Sequence, residues 1–249
     1  MHKKDTVPMW AAVIISYILP VIIIVLFTLL KKNKSYIALQ AGIFSLTLSQ
    51  FITLLFTEAL KNLVGRHRPD FISRCKPSMS LINQTKGVSN SGNPAQLFDP
   101  IFGFFTTEIC SAEKNKELYD GMRSFPSGHS STAFCGLFFL SLFLAANLSL
   151  YDRKCHAYKA IVVIIPLVIA AVIAASRVSD YRHHWQDVTA GSILGAIVAY
   201  YIYYIYYPKV KSENSYLPYQ YIIDDSTTYE LGNLDQQSKP SSNRGADMV

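Results

Sequence analysis

Three short segments of the sequence carry residue types that bind phosphate or transfer protons. They contain Lys61 with Arg68, Ser127-Gly128-His129, and Arg177 with His183 and Asp187. Lysine and arginine supply fixed positive charge and hydrogen-bond donors for phosphoryl oxygens. Histidine can serve as a nucleophile or as a general acid and base near neutral pH. Together these residue types indicate phosphoryl transfer.

The first segment runs from Lys61 to Pro69 and contains two cations seven residues apart, Lys61 and Arg68. If a helix continues through both positions, the two side chains share one side of it. Two cations on one side suit a phosphoryl dianion. The alternative is a basic helix end close to lipid headgroups, and this segment alone does not exclude it.

The second segment is Phe125-Pro126-Ser127-Gly128-His129-Ser130-Ser131, directly before an apolar run. Ser127 is a candidate helix cap, and the free backbone N–H groups behind it would form an anion site. Gly128 lets a ligand approach the backbone closely. His129 would lie in the first turn and donate a proton to the bound group. The alternative is an ordinary serine cap with an incidental histidine.

The third segment lies between two apolar runs and extends from Ser176 to Asp187. On a helix, His183 and Asp187 would face the same way because they are four residues apart. A carboxylate that holds one imidazole nitrogen leaves the other as a nucleophile. His184 also has a permitted spacing to Asp187, so spacing does not choose between the histidines. The alternative is an interfacial cluster with Trp185 as the headgroup anchor.

The elements that must position these segments are apolar runs of membrane-spanning length. The 249 residues are 50% hydrophobic and 16% charged, and the mean hydropathy is +0.21. A helix needs about 20 apolar residues to cross the hydrocarbon core. The sequence therefore predicts an all-α, polytopic transmembrane helix bundle in one domain, residues 1–208. Its five spans are expected near 9–30, 36–60, 131–150, 160–175 and 188–207.

Two other interpretations of the composition are disfavoured. The first run is too long for a typical signal peptide, and no small-residue cleavage pattern follows it. The net charge of +6 does not indicate nucleic acid as a partner, because the basic residues lie at helix ends and in loops. No Cys, His and carboxylate set predicts a metal site, so no cofactor is expected.

Alternating helix directions place the long loop 61–126 and the segment 176–187 on one membrane face. The short loops 31–35 and 151–158 lie on the other face and are basic, which marks the cytoplasmic side. The active site is thus expected on the lumenal or extracellular face of an endomembrane or the plasma membrane. Lys3 and Lys4 oppose this orientation, since five spans put them in the lumen. The polar segment 209–249 is expected to be a flexible cytoplasmic tail.

Taken together, the three segments resemble the signature of the type 2 phosphatidate phosphatase superfamily, the lipid phosphate phosphatases. The matching patterns are Lys61-x6-Arg68-Pro69, Pro126-Ser127-Gly128-His129 and Ser176-Arg177-x5-His183-x3-Asp187. The surrounding Gly65–Phe71 run, Arg74-Cys75 and Asp180–His184 are most similar to fungal diacylglycerol pyrophosphate phosphatases. Members of the family have six spans, and this chain begins where their second span would. We therefore expect that the first span is missing.

The resemblance implies a role for each matching residue. His183 would be the nucleophile, Asp187 would orient it, and His129 would protonate the leaving group and then activate water. The nonbridging oxygens would be held by Lys61, Arg68, Ser127, the Gly128 N–H and Arg177. The family works without magnesium.

The implied substrates are lipid phosphates of the membrane, diacylglycerol pyrophosphate and phosphatidate foremost. A polyisoprenyl-diphosphate phosphatase shares the signature and is one alternative. A catalytically silent phospholipid-binding membrane protein is another, but silent relatives would be expected to lose the nucleophile or an anchoring arginine. Because His183 and Arg177 are both present, the enzyme is favoured.

The four cysteines are expected to lie in different redox environments. Cys75 and Cys110 share the loop assigned to the oxidising lumen, so a disulfide between them is expected, with two unpaired thiols as the alternative. Cys135 lies in a span and Cys155 in a cytoplasmic loop, where thiols stay reduced. The long loop 61–126, assigned to the lumen, carries the sequon Asn83-Gln84-Thr85, a candidate glycosylation site.

Overall fold

The computed structural model describes residues 5–30, 36–76, 110, 116–151, 156–212 and 214–223. Within these ranges every regular element is a helix, so the all-α prediction is confirmed. The candidate glycosylation site Asn83, the predicted thiol Cys155 and most of the predicted 61–126 loop lie outside the described residues.

Five helices of the described chain are long and apolar enough to cross a membrane, as the sequence predicts. They are α1 (Met9–Leu30), α2 (Tyr36–Val64), α5 (Gly128–Asn147), α6 (Ala157–Ser179) and α7 (Trp185–Tyr206). Two short helices, α3 (Phe71–Cys75) and α4 (Lys116–Asp120), lie between α2 and α5 in the chain. Helices α5, α6 and α7 each begin three residues before the predicted start, because the polar residues there already belong to the helix.

Helix α5 is the centre of the bundle. Most of its side chains are buried, and it packs against α1, α2, α6 and α7. The peripheral helices instead expose large apolar side chains, such as Ile161, Val168 and Val172 of α6 and Phe51 of α2. This distribution suits a bundle whose outer surface faces hydrocarbon. Residues at the first turn of α5 are thereby surrounded by protein.

Two glycines let α7 approach α5 closely. A Cβ atom at Gly191 would lie 2.6 Å from the carbonyl oxygen of Ser127, and one at Gly195 would overlap the carbonyl oxygen of Ser131. The spacing Gly191-x3-Gly195 is the small-residue pattern that brings membrane helices into backbone contact. This contact places the beginning of α7 beside the beginning of α5.

A polar contact also crosses the bundle near a π-helical turn in α1, Ile14–Ile18. Pro20 lacks the N–H that would bond to the Ser16 carbonyl four residues earlier. The Gln50 side chain donates to this Ser16 carbonyl over 3.2 Å and to the Thr132 carbonyl over 3.1 Å. One buried amide therefore links α1, α2 and α5.

The segment after α7 packs on the bundle for at least part of its length. Tyr207 and Val210 belong to the apolar core, and the buried Ser215 hydroxyl donates to the Ala146 carbonyl over 3.5 Å. The prediction of a flexible tail from residue 209 was therefore wrong for this stretch, because its apolar residues find a core to bury against. Residues 224–249 lie outside the described chain.

Candidate active site

All three sequence segments meet at one end of the bundle. The loop after α2, the first turn of α5, the end of α6 and the turn between α6 and α7 contribute residues to the lining of a cavity of about 340 Å³. Four predicted site residues line it, namely Arg68, His129, Arg177 and His183. The remaining lining residues are Asp5, Arg74, Asp120 and Arg182. The cavity thus combines two histidines with four arginines.

His183 lies in the turn between α6 and α7 and is only 4% exposed. Its Nδ1 lies 2.7 Å from the main-chain carbonyl oxygen of Ser124. A carbonyl can only accept, so Nδ1 carries the proton and Nε2 has a free lone pair. Burial, and then the positive charge of Arg68, lower the pKa of His183 well below its usual 6.5, against the opposing effect of the Ser124 bond. The imidazole is therefore neutral near pH 7, as a nucleophile requires.

The expected direct pair between His183 and Asp187 was wrong. Helix α7 begins after His183, so a spacing of four does not put the two side chains on one helix face. The fully buried Asp187 carboxylate instead accepts from Arg66 Nη1 at 2.7 Å, Ser124 Oγ at 2.5 Å and the His184 N–H at 3.1 Å. Asp187 thus acts on the imidazole through Ser124, which bonds to both residues.

Main-chain pairing explains why Ser124 reaches His183. The Ser124 N–H donates to the Arg66 carbonyl over 2.8 Å, and the Arg68 N–H donates to the Gly121 carbonyl over 2.8 Å. The segment after α2 therefore runs beside the segment that leads into α5. On the other side, the His183 N–H donates to the carbonyl of Arg177 over 3.3 Å.

Arg68 is positioned by a loop, so the condition under which it would share a helix side with Lys61 is not met. Helix α2 ends at Val64, and Gly65 has φ +61°, a left-handed conformation that glycine adopts without steric cost at a helix end. Arg68 is mostly buried in the loop beyond it. Burial, the largest influence, lowers its pKa, while the Asp120 carboxylate opposes this; a guanidinium stays charged at neutral pH.

Lys61 and Gly128 are neighbours. A Cβ atom at Gly128 would lie 3.1 Å from Lys61 Nζ, so glycine leaves room for the amine beside the first turn of α5. Lys61 Nζ also forms a 2.6 Å ion pair with Glu58. Neither residue lines the cavity. Their predicted phosphate contacts remain predictions.

His129 extends from the first turn of α5 into the cavity. Its Nε2 is buried and has no hydrogen-bond partner among the described residues. Ser127 occupies the N-cap position, but the expected side-chain cap was wrong, because its hydroxyl accepts from Ser130 Oγ at 3.1 Å. The Ser127 N–H donates to the Asp187 carbonyl over 3.0 Å, which joins the beginnings of α5 and α7.

Arg177 is 1% exposed at the end of α6. Its Nη2 lies 2.9 Å from the buried carboxylate of Asp180, and its Nη1 lies 3.4 Å from Asp5. A buried guanidinium requires such partners, because an unpaired charge in the interior is strongly destabilising. Thr6 also donates to Asp180 from its N–H and hydroxyl, each at 2.7 Å. The segment before α1 is therefore part of the site.

Sequence reasoning missed several residues of the site, chiefly Arg66, Ser124, Arg74, Arg182 and Asp5. The sequence runs that carry the resemblance to fungal enzymes contain Arg66, Arg74 and Arg182. Ser124 lies directly before the second segment. Their basic or polar character next to the signatures was the available signal. Asp5 lies far away in the sequence, and nothing in the pattern connects it to Arg177.

A disulfide joins Cys75 and Cys110, with Cα atoms 4.6 Å apart. Cys75 is buried with Phe71 and Leu118, so the bridge lies in a small core shared by α3 and α4. This core holds the cavity residues at the ends of the two short helices. Cys135, the other cysteine within the described ranges, is a buried free thiol.

Comparison with known proteins identifies the family. The PAP2 superfamily matches residues 42–211, which is more than half of the chain. The chain belongs to the PAP2 superfamily. The family predicted from the three segments is thereby confirmed, and with the five apolar helices it makes the chain a multi-pass membrane protein of the phosphatase class.

The relatives of this PAP2 chain carry related names. Lipid phosphate phosphatase 2 of Arabidopsis thaliana is 37% identical over 88% of this chain and 68% of its own length. Diacylglycerol pyrophosphate phosphatase 1 of Saccharomyces cerevisiae is 33% identical over 85% of the chain and 67% of its own length. Lipid phosphate phosphatase 1 of Arabidopsis thaliana is 36% identical, and the chain spans 60% of it. No solved structure matches the chain with significance.

Proposed function

We propose that this PAP2 protein hydrolyses phosphate esters and diphosphates of membrane lipids through a phosphohistidine at His183. The observation that carries the proposal is the neutral His183, whose free Nε2 belongs to the same cavity wall as Arg68, Arg177 and His129. The printed names of the relatives favour diacylglycerol pyrophosphate and phosphatidate as substrates. The products would be phosphatidate and diacylglycerol, respectively.

In the first step, the Nε2 lone pair of His183 attacks the phosphorus atom of the lipid. The N–P bond forms as the P–O bond to the lipid oxygen breaks, and that oxygen keeps the bonding electrons. His129 donates a proton to the departing oxygen, which converts it to a hydroxyl or to a protonated phosphate. Its Nε2, which has no protein partner within the described residues, is free for this transfer.

In the second step, a water molecule attacks the phosphorus atom of the phosphohistidine. His129 is now neutral and accepts the water proton, while the N–P bond breaks and its electrons return to His183 Nε2. Inorganic phosphate leaves, and both imidazoles regain their starting protonation states. One water is consumed for each phosphate released.

The arginines stabilise the charge that both transition states carry on the nonbridging oxygens. The guanidinium of Arg177 is held by the buried carboxylate of Asp180, so it needs little reorganisation during the reaction. Arg68 extends from a loop that is fixed by its main-chain bond to Gly121. Asp187 and Ser124 keep the His183 ring in one orientation and one tautomer. Asp187 is therefore a positioning residue in this mechanism.

The substrate would enter from the bilayer. The cavity lies at the ends of the apolar helices, where the phosphate groups of a membrane lie, and acyl chains would extend along the exposed outer faces. We propose the lumenal or extracellular face for this end, on the basis of the basic short loops at the other end.

The test is phosphate release by the purified protein from phosphatidate and diacylglycerol pyrophosphate in detergent micelles. We expect turnover on both lipids in excess chelator, inhibition by vanadate, and none of this activity in His183→Ala. Monodisperse wild-type protein that releases no phosphate from any lipid phosphate would refute the proposal. Turnover that stops with chelator and returns with magnesium would refute this mechanism.

A further inference from the structure

Two arginines that line the cavity, Arg74 and Arg182, have no role in the proposed chemistry. We call this pair the second wall, and the signature residues Arg68 and Arg177 the signature wall. Arg74 Nη2 lies 2.9 Å and Arg182 Nη1 lies 3.3 Å from the same oxygen of Asp70, which is buried. This shared carboxylate holds the two additional guanidinium groups next to each other.

The carboxylates around the four arginines fall into two groups by exposure. The carboxylates of Asp70 and Asp180 are buried and hold the arginines from the protein side. The side chains of Asp5 and Asp120 are 37% and 49% exposed and contact the arginines at the cavity. An exposed carboxylate can turn to water at little cost and release its donors to an incoming anion.

Each exposed carboxylate bridges one signature arginine and one additional arginine. Asp5 Oδ1 lies 3.4 Å from Arg177 Nη1 and 2.9 Å from Arg182 Nε. Asp120 behaves in the same way, with Oδ1 at 3.0 Å from an Nη of Arg68 and Oδ2 at 3.5 Å from one of Arg74. The cavity therefore has two anion positions, and both are shared between the two walls.

We propose that Arg182 and Arg74 bind the second phosphoryl group of a lipid diphosphate and so make diphosphates the preferred substrates. This inference rests on the proposed function. The terminal phosphoryl group would lie against His183, Arg68 and Arg177. The inner phosphoryl group would displace Asp5 and Asp120 from the second wall and leave with the lipid as its monophosphate.

The size and charge of the cavity agree with this assignment. Its volume of about 340 Å³ is within the range of sites that hold a ligand of several groups, roughly 300–1,000 Å³. Arginine suits both phosphates because its fork of donors can serve two oxygens at once. A monophosphate needs only the signature wall, so the second wall should affect diphosphates alone.

The deciding experiment compares Arg182→Gln with wild type on two lipids of identical acyl chains, phosphatidate and diacylglycerol pyrophosphate. One lost charge-assisted contact should lower kcat/KM for the diphosphate by roughly 10- to 100-fold. For the monophosphate we expect a change in kcat/KM of less than about threefold, because in this proposal Arg182 makes no contact with a single phosphoryl group. An equal loss on both lipids, or no loss on either, overturns the inference.

A matched control is Arg123→Gln, at the same end of the bundle. Arg123 does not line the cavity, its side chain is 40% exposed, and it pairs with the exposed Glu58 at 2.9 Å. The control should leave the ratio of the two kcat/KM values unchanged. Arg74→Gln should lower this ratio in the same direction as Arg182→Gln.

Binding of inorganic anions gives a readout that needs no turnover. By calorimetry, inorganic pyrophosphate should bind the wild-type protein at least about 10-fold more tightly than inorganic phosphate, and Arg182→Gln should remove this difference. Equal affinities in the wild type overturn the inference even if the variant fails to fold. Absence of hydrolysis on both lipids, with the pyrophosphate preference intact, would instead refute the proposed function.

Discussion

The two ends of the bundle differ in the residue types that pack around α5, which are polar and charged at one end and aromatic at the other. At the cavity end, α5 buries hydroxyl-bearing residues, and its neighbours bury Arg177, Asp180 and Asp187. At the opposite end, α5 buries phenylalanines against Tyr203 and Tyr207, whose rings stack with centroids 4.9 Å apart. The cavity end is held by directional bonds between polar groups, and the opposite end by apolar contact.

This difference determines what a substitution should do at each end. Removal of the last partner of a buried charge leaves that charge unpaired and free to reorient, so geometry at the cavity is lost. Removal of apolar volume at the opposite end leaves a void, which costs stability without moving a functional group. Activity should therefore be sensitive at one end, and the free energy of unfolding at the other.

The largest effect is expected from His183→Ala. His183 is the group to which the mechanism assigns the attack on phosphorus, and His129 is assigned only proton transfer, so turnover should fall by at least about 1,000-fold. His184→Ala is the matched control. The His184 N–H bonds to the Asp187 carboxylate at the beginning of α7, and this main-chain bond survives the change, so the variant should keep its helix cap and most of its kcat. The measurement is kcat on phosphatidate together with the unfolding midpoint. Activity retained in His183→Ala would overturn the assignment.

Phe139→Ala tests the opposite end. Phe139 is buried and packs edge to face on Tyr203, with centroids 5.4 Å apart. Its truncation should lower the free energy of unfolding by about 3–5 kcal/mol, while kcat per folded molecule stays within about twofold. Phe51→Ala on the exposed face of α2 is the control and should change neither quantity much. A large loss of kcat in folded Phe139→Ala would break the comparison between the two ends.

Ser124→Ala sharpens the account of the cavity end. The main-chain carbonyl that orients His183 survives this change, whereas the hydroxyl link to Asp187 is lost. The loss of this hydrogen bond should lower kcat by roughly 10-fold, which is far less than the decrease expected for His183→Ala. Steady-state kinetics on phosphatidate measures it. A loss as large as that of His183→Ala would mean that the hydroxyl itself takes part in the chemistry.

The pH dependence should reflect the lowered pKa of His183. Only the neutral ring attacks, and its pKa lies well below 6.5, so the acidic limb of kcat/KM should lie below pH 6.5. In the unfolded chain this histidine binds a proton near its usual pKa, so its contribution to stability also falls as the pH drops through 6.5. The measured profile must be corrected for titration of the lipid phosphate itself, and ³¹P NMR of the lipid alone measures that titration. An acidic limb assigned to the protein above pH 6.5 would contradict a neutral, buried nucleophile.

The fold was largely predictable because membrane spans depend on apolar length. The three shifted span starts share one feature, a polar residue in the first turn of the helix, such as His129, Lys159 or Gln186. Hydropathy alone assigns such residues to loops. The close contact between α5 and α7 could have been predicted from the pattern Gly191-x3-Gly195, because small residues let helix backbones approach each other.

The composition of the cavity was predictable from residue types, but its internal geometry was not. Helical spacing failed for Lys61 with Arg68, because Gly65 ends the helix between them. It failed again for His183 with Asp187, because the helix begins between them. Distances along the chain describe faces only within a continuous helix, and active-site residues cluster where helices stop. The contribution of Asp5 depends on tertiary packing and left no pattern in the sequence.

The most direct test of the mechanism is to trap the phosphoenzyme. Wild-type protein is mixed for milliseconds with a lipid whose terminal phosphate carries ³²P, quenched in alkali, and digested for mass spectrometry. The account predicts a label that is stable in alkali, is released by acid as a phosphoramidate is, and maps to His183. It should accumulate in a His129 variant and be absent from His183→Ala. A label on another residue, or full turnover with no label under conditions that stabilise phosphohistidine, would contradict the account.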